Sequence, residues 1–222
     1  MSELPTELDP LATEVADPGR RLIDAVGARY GDGAYAEEIR AAREQFDALR
    51  GRVFDDDAIY LQHMALFLEW YVLERALNSE GRPPLHVALC AGAIASEDRP
   101  LAEALARSHR SAFEVVRNGD EGLRLYDLIG DSFWYVPLKQ AIVGVVRGEI
   151  VEARLYVWEG SVRLGPHVFY HPRTAHDMIH QIVRQRAAAG TLDSGLVFEL
   201  AGMRLRHSRF RNIAIDRIYR DG

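Results

Sequence analysis

The stretch that decides the fold is Glu149-Ile-Val-Glu-Ala-Arg-Leu-Tyr-Val-Trp158, followed by Glu159-Gly160 and Ser161-Val-Arg-Leu164. Apolar and polar side chains alternate along both runs, and Val, Tyr and Trp are enriched in strands. The Glu-Gly pair between them is typical of a tight hairpin turn. These residues therefore predict two antiparallel strands, each with one apolar and one polar face.

Three more strands are expected before this hairpin. The same alternation predicts strands over 112–117, 122–129 and 132–139, in addition to 149–158 and 161–170. Short antiparallel strands at this spacing are typical of a small five-stranded barrel of the SH3-like or OB type.

Helical periodicity precedes the strands. Asp17 and Pro18 are a typical helix start, with an end expected at about Tyr30. A second helix is indicated by apolar residues spaced three and four apart. Its stripe comprises Ile39, Ala42, Phe46, Leu49 and Val53. Further helices are predicted over Ala58–Leu77, Leu85–Ala95 and Pro100–Ser108.

After the strands, Thr174 is expected to cap a helix that ends at Ala189, before Gly190. No structure is predicted for residues 190–222. The fold class is therefore α+β, an N-terminal helical bundle followed by the barrel and a C-terminal helix. The predicted organisation is a flexible leader (1–17), a helical domain (18–109), a barrel (110–172) and a helical, Arg-rich extension (173–222).

The order of several segments resembles a known group of proteins. The segments are Phe67–Leu77, Gly81–Leu85, Ser111–Val116, Gly122–Leu128 and Arg147–Leu155. They resemble uncharacterised bacterial cytoplasmic proteins in which a helical region precedes a small β-barrel. Some of those proteins carry a C-terminal SEC-C zinc motif, whose cysteines this sequence lacks. The resemblance implies a fold and no activity.

Charge is distributed unevenly along the chain. Residues 1–106 contain 10 Arg against 20 Asp and Glu, whereas residues 107–222 contain 17 basic residues against 13 acidic ones. A protein that coats nucleic acid needs a broad positive field, which the acidic half opposes. Residues 1–17 contain no apolar signal segment, and charged residues interrupt the apolar run of 58–77. A cytoplasmic protein with no membrane partner is expected.

Signatures of catalysis and cofactor binding are absent from the sequence. There is no P-loop, dinucleotide-binding, nucleophile-elbow or zincin motif, so no cofactor is predicted. Cys90, the single cysteine, has no basic or histidine neighbour in sequence and is expected to be a buried structural residue. His171, His176 and His180 are the candidate metal ligands, because two of them lie four residues apart on a predicted helix. Their alternative role is that of ordinary polar residues around a strand-to-helix connection.

The barrel contains the main binding candidates. If the aliphatic side chains fill the barrel, the opposite face combines aromatic rings with guanidinium groups. This face comprises Arg124, Tyr126, Arg154, Tyr156, Trp158 and Arg163. Three uses are open for it: packing against the helices, binding a protein partner, or stacking and phosphate contacts with single-stranded nucleic acid.

A second set of binding candidates, Arg204, Arg206, Arg209 and Arg211, lies near the C-terminus. Self-contact with the acidic half of the chain, or with a second copy, is the favoured use of these arginines. The leading functional hypothesis is a non-enzymatic interaction or regulatory protein with a protein partner or self-association. The alternatives are a nucleic-acid-binding module and a metal-dependent hydrolase at the three histidines.

Overall fold

Helices form the first half of the computed structural model, which describes residues 17–220, and a curled antiparallel sheet follows them. The expected leader lies outside the described residues except for Asp17. The helices are α1 (Pro18–Tyr30), α2 (Ala36–Arg50), α3 (Tyr60–Leu73), α4 (Pro84–Cys90), α5 (Arg99–Ala106), α6 (His176–Ala189), α7 (Leu196–Arg209) and α8 (Ile215–Ile218). The strands are β1 (His109–Gly119), β2 (Gly122–Asp127), β3 (Ser132–Pro137), β4 (Ile150–Trp158), β5 (Ser161–Leu164) and β6 (Phe169–Tyr170).

The sheet has the strand order β3-β2-β1-β4-β5, and β6 pairs with the first residues of β4. It curls into a half-barrel that brings β3 and β5 close together. The expected mixture of helices and a curled antiparallel sheet is therefore confirmed. The fifth predicted strand is divided into β5 and β6 because Gly165 and Pro166 interrupt it, and proline has no N–H to donate to a neighbouring strand.

Local signals determine several element ends. The carboxylate of Asp17 accepts a hydrogen bond from the Gly19 N–H at 2.7 Å, which confirms the predicted N-cap of α1. Gly190 closes α6 in the left-handed conformation, with φ +67°, as the sequence predicts. Glu159 and Gly160 both have positive φ, which is the conformation of the tight β4–β5 hairpin turn.

Other boundaries differ from the sequence predictions. Helix α3 is four residues shorter at its C-terminus than expected, and α4 ends at Cys90 because Gly92 takes a left-handed conformation at φ +65°. The proposed cap at Thr174 is wrong, since Thr174 lies within a 3-10 turn (Arg173–Ala175) that leads into α6. The segment left without a prediction contains α7 and α8.

Three clusters of buried side chains hold these elements together. The first lies among α1–α5 and includes Tyr156 of β4 and Leu205 of α7. The second joins α6, α7 and α8 to one face of β1 and β4. The third fills the concave interior of the half-barrel. The helices therefore cover one face of β4, and this contact determines which predicted binding residues remain exposed. Among residues 17–220, no helix combines the length and apolarity needed to cross a bilayer.

Candidate interaction surface

The predicted aromatic–Arg face is divided between the protein interior and the surface. On β4, Arg154 is 2% exposed and Tyr156 is 5% exposed, because both side chains point toward the helices. Burial raises the pKa of the Tyr156 phenol to about 12. Packing against the helices, one of the three uses considered from sequence, therefore describes these two residues.

Arg154 belongs to a buried ionic network between the helices and the sheet. Its guanidinium donates hydrogen bonds to Glu69 at 3.2 Å, to the Ser108 hydroxyl at 3.0 Å and to Glu74. His167 contacts the second oxygen of Glu69 at 2.7 Å. The positive charge on β4 is thus neutralised by carboxylates on and just after α3, which allows it to lie in the interior.

Glu152 is the second β4 residue in this network. It lies 2.7 Å from Arg50 of α2 and 3.1 Å from Arg110 of β1, and Glu152 and Arg50 are each 1% exposed. Burial by itself would raise the pKa of the Glu152 carboxyl, but Arg50 and Arg110 lower it below its usual range. Burial also raises the pKa of the Glu74 carboxyl, but Arg110 and Arg154 outweigh this effect and lower that pKa to about 2. Each carboxylate is therefore ionised at neutral pH.

Trp158 and Arg163 lie beside each other near the β4–β5 turn. The guanidinium carbon of Arg163 is 5.7 Å from the Trp158 ring centroid, and its nitrogen lies 3.8 Å from a carboxylate oxygen of Glu159. Trp158 also packs against the helical core. These two residues are partly exposed, and the arginine already has a carboxylate neighbour.

The remaining two residues of the predicted face lie on the β2–β3 hairpin, where Arg124 is exposed and Tyr126 is partly exposed. Arg124 pairs with Tyr135 across the two strands, and Tyr126 pairs with Phe133. Phe133 is 61% exposed and Tyr135 is 52% exposed. We call these four residues (Arg124, Tyr126, Phe133 and Tyr135) the hairpin face.

The contacts within the hairpin face hold its rings in place. The guanidinium carbon of Arg124 lies 4.8 Å from the Phe133 ring centroid, and the Tyr126 and Phe133 rings are 5.0 Å apart. The Tyr126 hydroxyl donates to Asp131 at 2.6 Å, and the Tyr135 hydroxyl donates to the backbone carbonyl of Glu121. The rings are thus fixed before any partner binds, which lowers the entropy lost on binding.

Arg124 differs from the neighbouring charged residues in its ion-pair partners. Arg117, opposite it on β1, has the Glu121 carboxylate at 3.8 Å, and Glu114 has His180 of α6 at 3.4 Å. Within residues 17–220, no carboxylate lies within 4.0 Å of the Arg124 guanidinium. Arg124 is therefore an available cation among exposed aromatic rings.

Phe133 and Tyr135 were absent from the sequence-based candidates. Their signal was present, because both occupy alternate positions of the strand predicted over 132–139. Alternation assigns them to one face but does not show whether helices cover that face.

The four C-terminal arginines have different surroundings: Arg204, Arg206 and Arg209 lie on α7, and Arg211 follows its end. Arg209 donates to both carboxylate oxygens of Asp57, at 2.8 and 2.5 Å, so it contacts the acidic half of the chain as the self-contact hypothesis expects. Arg204 donates to the Tyr170 carbonyl at 3.3 Å and lines a basic cleft with Arg211. Arg206 is exposed.

The three candidate metal ligands point to different partners. His171 is buried, and its Nδ1 lies 3.2 Å from the Tyr219 hydroxyl, while His176 Nε2 lies 3.3 Å from the His171 carbonyl. His180 faces Glu114. In the described part of the chain, no three or more His, Cys, Asp or Glu side chains are grouped as a metal ion requires. The sequence hypothesis of a metal site at these histidines therefore lacks the required geometry.

A histidine–carboxylate pair that the sequence did not indicate lies where β1 begins and β2 ends. His109 Nε2 is 2.6 Å from buried Asp127, which also accepts from the Ser111 hydroxyl at 2.5 Å and from the Gly130 N–H at 2.9 Å. Although burial opposes it, these hydrogen bonds lower the pKa of the Asp127 carboxyl. Ser111 donates to the carboxylate rather than to the imidazole, so these residues do not have the order of a nucleophilic triad.

The chain was compared with known proteins, and no protein family, curated protein or solved structure matches it. The resemblance to helix-plus-barrel bacterial proteins stays a prediction.

Proposed function

We propose that this chain is a non-enzymatic, cytoplasmic interaction protein that binds a protein partner through the hairpin face. The observation that supports this proposal is the exposure of Phe133 and Tyr135 beside Arg124, whose guanidinium has no carboxylate partner among residues 17–220. Aromatic residues and arginine dominate the binding energy of protein interfaces. Burying the exposed part of one such ring stabilises a complex by about 2 kcal/mol.

The charges around the hairpin face favour a particular partner chemistry. A partner segment that presents one Asp or Glu beside apolar side chains would pair with Arg124 and cover the rings of Phe133 and Tyr135. A nucleic acid strand carries a phosphate at every nucleotide and needs repeated cations along its path. Here one available guanidinium lies near Glu121 and Asp131, an arrangement that favours a single carboxylate from a protein.

The architecture agrees with this use. We propose that the half-barrel belongs to the SH3-like or OB type, in which strand faces and loops serve as binding surfaces. Helices α6 and α7 pack on β1 and on the start of β4, and Tyr126 lies at the edge of that cluster. Arg124, Phe133 and Tyr135 are the part of the hairpin face left open.

The proposal can be tested with variants of the hairpin face. Nuclease-treated native lysate is passed over the parent protein, the Phe133→Ser variant and the Arg124→Gln variant, and captured proteins are identified by mass spectrometry. A partner purified from this experiment should bind each variant at least about tenfold more weakly by calorimetry. Leu61→Ser is the matched control, because Leu61 is apolar, 81% exposed and located on α3.

The outcomes separate a specific partner from adhesion to any apolar surface. A protein that binds the parent and the Leu61→Ser variant, but neither hairpin variant, supports the proposal. Equal capture by the parent and by Phe133→Ser would refute it. Melting curves of all variants confirm that each one is folded.

Nucleic acid is the second candidate, and the basic cleft at the end of α7 is the observation that favours it. Arg204, His207, Ser208 and Arg211 line this cleft of about 350 Å³. Binding of a labelled single-stranded oligonucleotide that weakens with salt, and weakens further in Arg211→Gln, would support this candidate. Anisotropy that stays unchanged on titration at low salt would exclude it.

A further inference from the structure

A wide cleft opens on the helical side of the molecule, on different elements from the hairpin face. It has a volume of about 740 Å³ and lies between the end of α1, the turn that follows it, the α3–α4 connection and α4. This volume lies in the range of roughly 300–1,000 Å³ that is typical of small-molecule sites.

One wall of the cleft is aromatic and rigid. The Tyr30 ring is 3% exposed and lies 4.8 Å from the ring of the partly exposed Tyr35, at an interplanar angle of 54°. The hydroxyl of buried Tyr71 donates to the Tyr30 backbone carbonyl and holds this turn against α3. Val87 of α4 adds an aliphatic side chain. The wall thus offers a preformed apolar surface.

Charges of both signs surround this wall. Arg29 and Arg82 supply two guanidinium groups, and Asp32 and Glu80 supply two carboxylates. Within residues 17–220, no ion pair of 4.0 Å or less joins any two of these four side chains. Arg82 donates to the Cys90 thiol at 3.4 Å, and Asp32 accepts a hydrogen bond from the Gly33 N–H at 2.6 Å, so neither group has its charge neutralised within the cleft. A ligand that carries both a positive and a negative group can therefore pair with both kinds of side chain.

We propose that this cleft binds a zwitterionic small molecule with an apolar side chain, either a free amino acid or a short peptide. Its ammonium group pairs with Asp32 or Glu80, its carboxylate pairs with Arg29 or Arg82, and its side chain packs on Tyr35. This binding site is independent of the hairpin face and adds a small-molecule ligand to the proposed protein partner.

The experiment uses glycyl-phenylalanine and free phenylalanine as probes, titrated into the full-length protein by calorimetry at neutral pH. N-acetylated and C-amidated glycyl-phenylalanine each lack one of the two charges. Each blocked form should bind about tenfold more weakly than the zwitterion, because it loses one charge-assisted hydrogen bond. Tighter binding of free phenylalanine would identify an amino acid as the ligand, and tighter binding of the dipeptide would identify a peptide.

Variants assign the two charges to their partners. In Glu80→Gln, a smaller cost of acetylation than in the parent assigns the ammonium group to Glu80, and an unchanged cost assigns it to Asp32. In Arg82→Gln, a smaller cost of amidation assigns the carboxylate to Arg82, and an unchanged cost assigns it to Arg29. Asp120→Asn, which removes a carboxylate in the β1–β2 turn, is the matched control and should preserve the parent pattern.

The expectation that Cys90 is buried is wrong, because it is exposed and lines the cleft. As the single cysteine, it supplies a second readout. A bound zwitterion should slow its alkylation, measured by mass spectrometry. The proposal is refuted if neither zwitterion produces heat or protects Cys90 at about 1 mM, a concentration that detects a binding free energy near −4 kcal/mol. It is also refuted if the blocked ligands bind as tightly as the zwitterion.

Discussion

Replacing Glu152 with alanine removes the carboxylate that joins Arg50 to Arg110, and a large loss of stability is expected. Arg110 keeps two hydrogen bonds to Glu74, at 2.8 and 2.9 Å. Arg50 is 1% exposed, and its Nε and Nη2 atoms have no hydrogen-bond partner among residues 17–220. The substitution therefore leaves a buried guanidinium without its carboxylate, which costs about 3–5 kcal/mol in the free energy of unfolding.

The size of this loss is reduced by the surroundings of Arg50. Its guanidinium carbon lies 5.2 Å from the Phe46 ring centroid and 5.3 Å from that of Phe169, and both cation–π contacts persist in the variant. Such contacts contribute up to about 2 kcal/mol when desolvated. A loss near 3 kcal/mol, at the lower end of the range, is therefore expected.

Urea unfolding of a double-mutant cycle measures this coupling. The cycle comprises Glu152→Ala, Arg50→Met and the protein with both substitutions. The double variant should lose clearly less than the sum of the two single losses, because it contains no unpaired buried charge. Glu121→Ala is the control, since that carboxylate is 82% exposed and should change stability by no more than ~0.5 kcal/mol.

Two results would refute this reasoning. A loss below about 1 kcal/mol in Glu152→Ala would mean that Arg50 reaches water or another anion when its carboxylate is removed. Strict additivity of the two single losses would mean that the ion pair does not couple the helices to β4.

Three more predictions concern other parts of the fold. Burial lowers the pKa of His63 and of His171 to about 3, so the unfolded chain binds protons below about pH 6.5 while the folded protein does not. Stability in urea should therefore fall as the pH drops from 6.5 toward 3, by up to about 1.4 kcal/mol per pH unit for each histidine, and a flat profile between pH 7 and 5 would contradict this. Asp17→Ala removes the α1 cap and should cost about 1 kcal/mol by thermal unfolding, whereas Asp24→Ala, an exposed change on the same helix, should have little effect. Gly202→Ala places a Cβ 3.2 Å from the Arg50 carbonyl where α7 crosses α2; a packing cost of roughly 1–3 kcal/mol is partly offset by about 1 kcal/mol of gained helix propensity, so a net loss of about 1 kcal/mol is expected, and a raised melting temperature would show that the two helices move apart to accept the methyl group.

Local features of the fold were predictable from sequence, because the residues that cause them are neighbours in the chain. The Asp17 cap, the Gly190 helix end and the Glu159-Gly160 turn each depend on a few consecutive residues. The apolar alternation of β4 likewise identified Val151 and Leu155 as interior residues of the half-barrel.

The exposure of the polar strand faces was not predictable in the same way. Arg154 and Glu152 have the residue types of a solvated surface, yet both are buried because their partners lie 85 and 102 residues earlier in the chain. The alternation of side chains along a strand assigns each residue to one face of the sheet. It contains no information about which helix covers that face. For the same reason, the residue pattern does not distinguish exposed Arg124 and partly exposed Tyr126 from buried Arg154 and Tyr156.

The ionic network also bears on how the chain could be divided. A fragment that ends before β1 would lack Glu152 and Arg154, the ion-pair partners of Arg50 and Glu69, and would expose to water the apolar side chains that pack against β4 and α7. Separately expressed fragments should therefore be poorly folded alone and should recover native structure when mixed. We therefore expect the helical segment and the half-barrel to unfold as a single cooperative unit rather than as exchangeable modules.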